Sequence, residues 1–231
     1  MFSRLLACLA LLAIFTHRLP ADDAAPIRIV TLGDSITRGV RGGVKKEQTF
    51  AAMLEASLKA KGVKVEVVNV GIGGERADQA LARLDKVIAL KPALVTIMYG
   101  TNDSYVDKGK KAPRISKYEY AKHLRDIVDK LKAAGIQPVL MTEPRWGDGA
   151  RNGANEDPNV RLEDYLKACR AVAKEARVPL VDHYLHWSRA RSKGTDIAKW
   201  TTDLCHPNEA GHREINRILL PVILKAVQAK R

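Results

Sequence analysis

Ile27-Arg28-Ile29-Val30-Thr31-Leu32-Gly33-Asp34-Ser35-Ile36-Thr37-Arg38-Gly39 is the stretch around which the chain is organised. Its first part is a β-branched run that reads as a buried strand over Ile27–Leu32. The strand ends in Gly-Asp-Ser and leads towards a helix, where a serine backbone is held firmly and the amides after the strand are free to bind an anion. Gly33 permits a tight turn. Alone, the tripeptide is ordinary turn chemistry, with Asp34 or Ser35 capping the next helix. Asp34 is expected to brace the turn. Ser35 gains meaning only if the chain also supplies a base and oxyanion donors.

Outward from this strand, apolar segments alternate with helical patterns. Further strands are expected over Val65–Val70, Leu94–Tyr99, Pro138–Thr142 and Val178–Asp182. Helices are expected over Phe50–Lys61, Ala77–Leu90, Lys117–Ala134 and Leu162–Ala176. Pro207–Lys230 reads as a last helix that Pro221 should kink or divide. This order argues for an α/β protein with one parallel sheet covered on both faces. The least regular parts, Arg41–Lys46, Asp107–Arg114 and Trp146–Asn159, follow strand ends or the serine turn, where such proteins place binding loops.

Residues 1–21 read as a signal peptide. Arg4 gives a basic start, Leu5 to Phe15 is an apolar run, and Leu19-Pro20-Ala21 ends it. The run is well short of the ~20 residues a spanning helix needs, so no stable membrane insertion is expected. Leu5-Leu6-Ala7-Cys8 resembles a lipoprotein box but precedes the apolar run instead of ending it. A secreted or periplasmic location follows, with residues 22–231 as a single domain large enough for one core. The formal net charge is +13. Its lysines are scattered through helical stretches without aromatic interleaving, which favours a well-solvated surface over nucleic-acid binding. Cys169 and Cys205 remain after the signal, and export permits a disulfide without requiring one.

Four segments fall at strand ends or in the C-terminal loop. They are Gly33-Asp34-Ser35; Asn69-Val70-Gly71-Ile72-Gly73-Gly74-Glu75; Tyr99-Gly100-Thr101-Asn102-Asp103; and Asp203-Leu204-Cys205-His206-Pro207-Asn208-Glu209-Ala210-Gly211-His212. Parallel strands deliver their C-terminal ends to one sheet edge, so the first three can converge. Serine needs a base within hydrogen-bond reach. Histidine titrates near neutral pH, and a carboxylate fixes its tautomer. An Asp-x-x-His spacing presents both on one turn of chain, and glycine amides with an asparagine side chain can hold an oxyanion.

Together the four segments resemble the SGNH, or GDSL-type, hydrolase family, from Ile27 to His212. The resemblance implies a flavodoxin-like three-layer α/β/α fold with a five-stranded parallel sheet, and ester hydrolysis through a serine without a cofactor. Ser35 then matches the nucleophile, His206 the general base and Asp203 its orienting acid. Ser35, Gly74 and Asn102 match the oxyanion hole. Gly74 is chosen over Gly71 and Gly73 because it stands five residues after Asn69, as in the family's Asn-x-x-x-x-Gly pattern.

Other readings attach to single residues. The glycines of the second segment can simply turn the chain. Asp203, His206 and His212, or His183-x-x-His186, suggest a metal, but no further ligand set is evident. Cys205 reads as packing or half of a disulfide. Arg145 and Trp146, after the fourth strand, are candidates to line a sugar or acyl pocket. The expected activity is hydrolysis of short acyl esters, chiefly O-acetyl groups on carbohydrate, with a small-molecule or polysaccharide ester as partner. A lipase, lysophospholipase or thioesterase of the same family is the alternative enzyme, and a non-catalytic glycan-binding module the alternative class. The sequence leaves the oligomeric state open.

Overall fold

A computed structural model describes residues 25–229. Residues 1–24, on which the expected signal segment and Cys8 fall, and residues 230–231 lie outside the described residues. The chain alternates strands and helices: β1 (Ile27–Gly33), α1 (Ser35–Arg38), α2 (Phe50–Ala60), β2 (Val65–Asn69), α3 (Ala77–Ala82), α4 (Leu84–Ile88), β3 (Leu94–Met98), α5 (Lys117–Ala133), β4 (Gln137–Thr142), α6 (Pro158–Ala176), β5 (Leu180–Asp182), α7 (His183–Ser192) and α8 (Glu209–Gln228). The five strands form one sheet in the order β2-β1-β3-β4-β5, and every pairing is parallel. This is the three-layer α/β/α architecture of the SGNH hydrolases.

Strand alternation splits the core into two layers. Ile29, Leu94, Met98, Val139, Met141 and Val181 point to one face, against α2 and α8. Val30, Leu32, Val95, Ile97 and Leu140 point to the other, against α3, α4, α5 and α6. Side chains buried on both faces are what a parallel sheet under two helical layers requires. Cys169 belongs to the second layer and Cys205 to the first. The sheet lies between them, both thiols are free, and both residues serve packing.

Four elements depart from the sequence expectation. Ala77–Leu90 is two short helices, because Arg83 leaves helical geometry (φ −108°, ψ 8°) and turns its guanidinium to Glu75 and the Val70 carbonyl. Helix α6 starts four residues early, at Pro158, where Asp157 caps the Asn159 N–H and proline occupies the first turn, the place where its missing donor costs least. Helix α7 follows β5 directly, capped by the Asp182 carboxylate on the Leu185 N–H. Finally, Pro221 lies inside α8 without dividing it. The missing hydrogen bond is offset by burial of Ile215, Leu219, Ile223 and Val227 along one face.

From β1 the chain passes to β2 on one side, then returns to β3, β4 and β5 on the other. The strand order therefore reverses between β1 and β3, and a crevice opens there at the C-terminal ends. Ser35 follows β1, and Asn102 follows β3.

Candidate active site

Gly33 closes β1 beside the β3 strand end. A Cβ there would lie 2.1 Å from Thr37 Oγ1 and 2.7 Å from the Met98 carbonyl oxygen, so the position demands the absence of a side chain. Its φ is not positive, so the tight turn needs glycine here for space and not for a left-handed backbone. Asp34 is fully buried and accepts from the Ile36 N–H at 2.8 Å, capping α1. Ser35 is thereby placed at the mouth of the crevice.

The fourth segment reaches Ser35 by a folded-back loop. Ser35 Oγ lies 2.9 Å from His206 Nε2. His206 Nδ1 lies 2.8 Å from Asp203 Oδ2. The same carboxylate accepts the His206 backbone N–H at 2.8 Å and that of Cys205 at 3.2 Å. Leu204 takes up the left-handed conformation (φ 67°) that lets three residues turn so tightly. The loop is tied down by Gly147 N–H on the Leu204 carbonyl at 2.7 Å, and by a bridge between Thr201 and Pro207. Arg41, in the loop after α1, donates to Asp203 Oδ2 at 2.8 Å.

Electrostatics follow from these contacts. Burial would raise the Asp203 carboxyl, but the His206 N–H, the His206 ring and the Cys205 N–H hold it down to about 2. Burial lowers His206 below its ordinary value; Asp203 pulls it back up, and the Arg41 and Arg38 charges push it down again. Such a histidine is neutral at pH 7 and can accept a proton.

The second segment is held rigidly. Arg83 grips both Glu75 oxygens at 2.6 Å, and the Tyr99 hydroxyl donates to the same carboxylate at 2.6 Å. At Gly71 a Cβ would meet the Arg38 backbone nitrogen at 2.3 Å, and at Gly73 the Arg38 guanidinium at 2.9 Å. Gly74 differs: the space beside it is open and its φ is 77°, a conformation glycine adopts without cost. Among the three, Gly74 thus combines an open face with a backbone that L side chains resist.

Asn102 donates from Nδ2 to Asp34 Oδ2 at 2.8 Å and accepts at Oδ1 from Arg114 Nη1 at 3.0 Å. A cavity of about 410 Å³ opens over Ser35, Asn102 and His206, walled by Tyr105, Arg114 and Trp146. Trp146 stacks on Tyr105 with ring centroids 6.2 Å apart. Arg145 turns away, to the Tyr184 hydroxyl at 3.3 Å and towards Asp148. A larger groove of about 690 Å³ lies along β2 and α2 and contains none of Ser35, Asn102, Asp203 or His206.

The histidines weighed as metal ligands go elsewhere. His183 is buried on α7, where burial holds it neutral, down to about 3. His186 faces Glu214 at 2.8 Å. His212 is buried against Phe50. Among the described residues no group of three or more His, Cys, Asp and Glu side chains could hold a metal ion. Three contributors escaped the sequence reading: Arg41, Arg114 and Glu143, a fully buried acid directly after β4. Arg41 and Arg114 were visible only as members of irregular loops, and nothing in the sequence marked Glu143.

A parallel α/β sheet with a serine, a histidine and a carboxylate in hydrogen-bonded series at its switch point defines the class: an ester hydrolase of SGNH type. The chain belongs to the GDSL-like lipase/acylhydrolase family, whose model matches residues 31–214. It is 30% identical over 210 residues to YqeF, an uncharacterized lipoprotein of Bacillus subtilis, covering 78% of this chain and 80% of that one. It is 26% identical over 219 residues to a rat (Rattus norvegicus) isoamyl acetate-hydrolyzing esterase 1 homolog, covering 87% and 83%. Among solved structures, a variant of Axe2, an acetyl-xylooligosaccharide esterase from Geobacillus, superposes with a TM-score of 0.71 at 26% identity, covering 85% of this chain and 94% of that one.

Proposed function

We propose that residues 22–231 form one exported esterase domain that removes short acyl groups, chiefly acetyl, from carbohydrate hydroxyls. The observation that carries this reading is the 2.9 Å contact between Ser35 Oγ and His206 Nε2, with Asp203 on the far ring nitrogen. Ser35 Oγ attacks the acyl carbon while His206 Nε2 takes its proton, and Asp203 stabilises the imidazolium. The tetrahedral oxyanion accepts from the Ser35 and Gly74 N–H groups and from the second Asn102 Nδ2 hydrogen. Collapse breaks the bond to the sugar oxygen, which leaves with the His206 proton. Water, deprotonated by the same ring, then cleaves the acyl-serine ester and restores Ser35.

Several features support acetate and sugar. The rat relative and Axe2 are named for acetate esters. The cavity is small, and among the described residues no long apolar insertion shelters a fatty chain. Trp146 on the cavity wall offers a flat apolar face to a sugar ring. Export is supported by the N-terminal pattern and by a relative named as a lipoprotein, while among the described residues no helix is long and apolar enough to cross a membrane.

The test is kcat/KM across p-nitrophenyl acyl esters of rising chain length, with acetate release from acetylated xylan, pectin, sialate and chitin-type sugars. The reading expects acetyl above octanoyl, release from at least one glycan, covalent labelling of Ser35 by a sulfonyl fluoride, and no activity in Ser35→Ala. A rise with chain length would move the assignment to a lipase or thioesterase.

A further inference from the structure

Beneath Ser35 lie three fully buried carboxyl groups that hydrolysis does not use: Asp34, Asp103 and Glu143. They come from the ends of β1, β3 and β4, which are neighbours in the sheet. Asp34 is well supplied with donors, the Ile36 N–H on Oδ1 and Asn102 Nδ2 on Oδ2. Asp103 accepts the Ala77 N–H on Oδ1. Glu143 is different. Neither of its oxygens makes a well-formed hydrogen bond to a donor; the Thr101 N–H is its one nearby backbone donor, and its carboxyl faces that of Asp34 closely enough to share a hydrogen bond.

An unsupported buried carboxylate next to another carboxylate is not a stable arrangement. Each charge forfeits hydration, and the two repel in a medium of low polarity. One proton between them removes both penalties and makes the missing bond. It resides on the member with fewer donors, since each N–H favours the anion it faces. We infer that Glu143 is a protonated, positioning residue whose carboxylic O–H donates to Asp34, keeping Asp34 an anion that anchors the Asn102 amide. The inference rests on the oxyanion role given to Asn102 above.

The surroundings agree. Burial pushes Glu143 far above the carboxylate range, with the Asp34 and Asp103 charges adding to it; only the Thr101 N–H opposes them. The nearby Cys169 and Cys205 thiols are neutral, because burial raises both. Asp34, bonded to Ile36 and Asn102, is raised less, to about 7. An anionic Asp34 is a stronger acceptor than a neutral acid. It aims one Asn102 hydrogen downward and leaves the other for the substrate oxyanion.

Infrared difference spectra and two variants test this. In the full-length protein at neutral pH, a protonated-carboxyl C=O band is expected that Glu143→Gln lacks. Glutamine can still donate to Asp34, so Glu143→Gln should keep kcat on p-nitrophenyl acetate within about threefold of wild type. Glu143→Leu fills the space but cannot donate, and should lower kcat by roughly tenfold or more with KM little changed. Absence of the band overturns the inference, and it is readable even if the leucine variant does not fold. Equal kcat losses in both variants, or none in either, overturn the donor role. If the wild type hydrolyses no ester while the band is present, the protonated pair stands and it is the esterase reading that fails.

Discussion

Arg114 Nη1 donates to Asn102 Oδ1 at 3.0 Å, and this bond decides which way the asparagine amide faces. Asp107 holds the guanidinium through Nε at 3.0 Å and Nη2 at 2.8 Å, and the Tyr105 ring lies 4.9 Å beneath it. A guanidinium has no acceptor, so the side-chain oxygen must point to it and the NH₂ group to Asp34. Asn102 is thereby set before any substrate arrives, as electrostatic preorganisation requires.

Asn102→Ala should lower kcat by roughly 10²–10³, about 2.7–4 kcal/mol, with KM little changed. The thermal midpoint should fall too, because the buried Asp34 loses a donor, a loss of about 1–3 kcal/mol. Stability therefore does not separate an oxyanion role from a turn role here; kcat per folded molecule does. A value within about threefold of wild type, under ~0.7 kcal/mol of barrier, would end the oxyanion assignment.

Arg41→Gln should move the acid limb of kcat/KM to higher pH. The proposed mechanism needs neutral His206, and Arg41 is one of the charges that disfavour its protonation. Removing the cation also frees Asp203 Oδ2 to stabilise the imidazolium. Both effects raise the histidine, so activity is lost sooner on acidification. A pH profile in which the limb stays put or moves down would show that Arg41 does not tune the pair.

Trp146→Ala should raise KM for an acetylated oligosaccharide by roughly two- to tenfold, the worth of about 0.5–1.5 kcal/mol of aromatic contact. KM for p-nitrophenyl acetate, which lacks the sugar, should move less. Steady-state kinetics on the two substrates compare the effects directly. Equal changes would mean that Trp146 shapes the cavity through Tyr105 without touching a sugar.

His183→Leu should make the fold less sensitive to acid. Burial depresses His183 to about 3, from an ordinary 6.5. Below 6.5 the unfolded chain takes up a proton that the folded chain refuses, so stability falls as pH drops, by about 1.4 kcal/mol per unit, until the folded value is reached. Melting temperatures at pH 7.5 and pH 5 should therefore differ more in the wild type than in the variant. An identical drop in both would place the acid-labile group elsewhere.

Local pattern in the sequence suffices for the alternation of elements and the parallel sheet, and with the family resemblance it nominates Ser35, Asn102, Asp203 and His206 as candidates. β-branched runs of four to six residues, apolar spacing along helices and an Asp-x-x-His turn are all readable from neighbours in the chain. In two helices the local pattern is ambiguous. Ala77–Leu90 has helical spacing throughout, and only the distant Glu75 and Val70 explain why Arg83 breaks it. Pro221 reads as a helix breaker until the burial that carries α8 through it is known. Tertiary structure alone decided that Cys169 and Cys205 lie on opposite faces of the sheet, that Trp146 reaches the cavity while Arg145 leaves it, and that Arg41 and Arg114 grip Asp203 and Asn102. Glu143 is the clearest case. In the sequence it is one acid after one strand, and its chemistry begins only when the fold buries its carboxyl against that of Asp34.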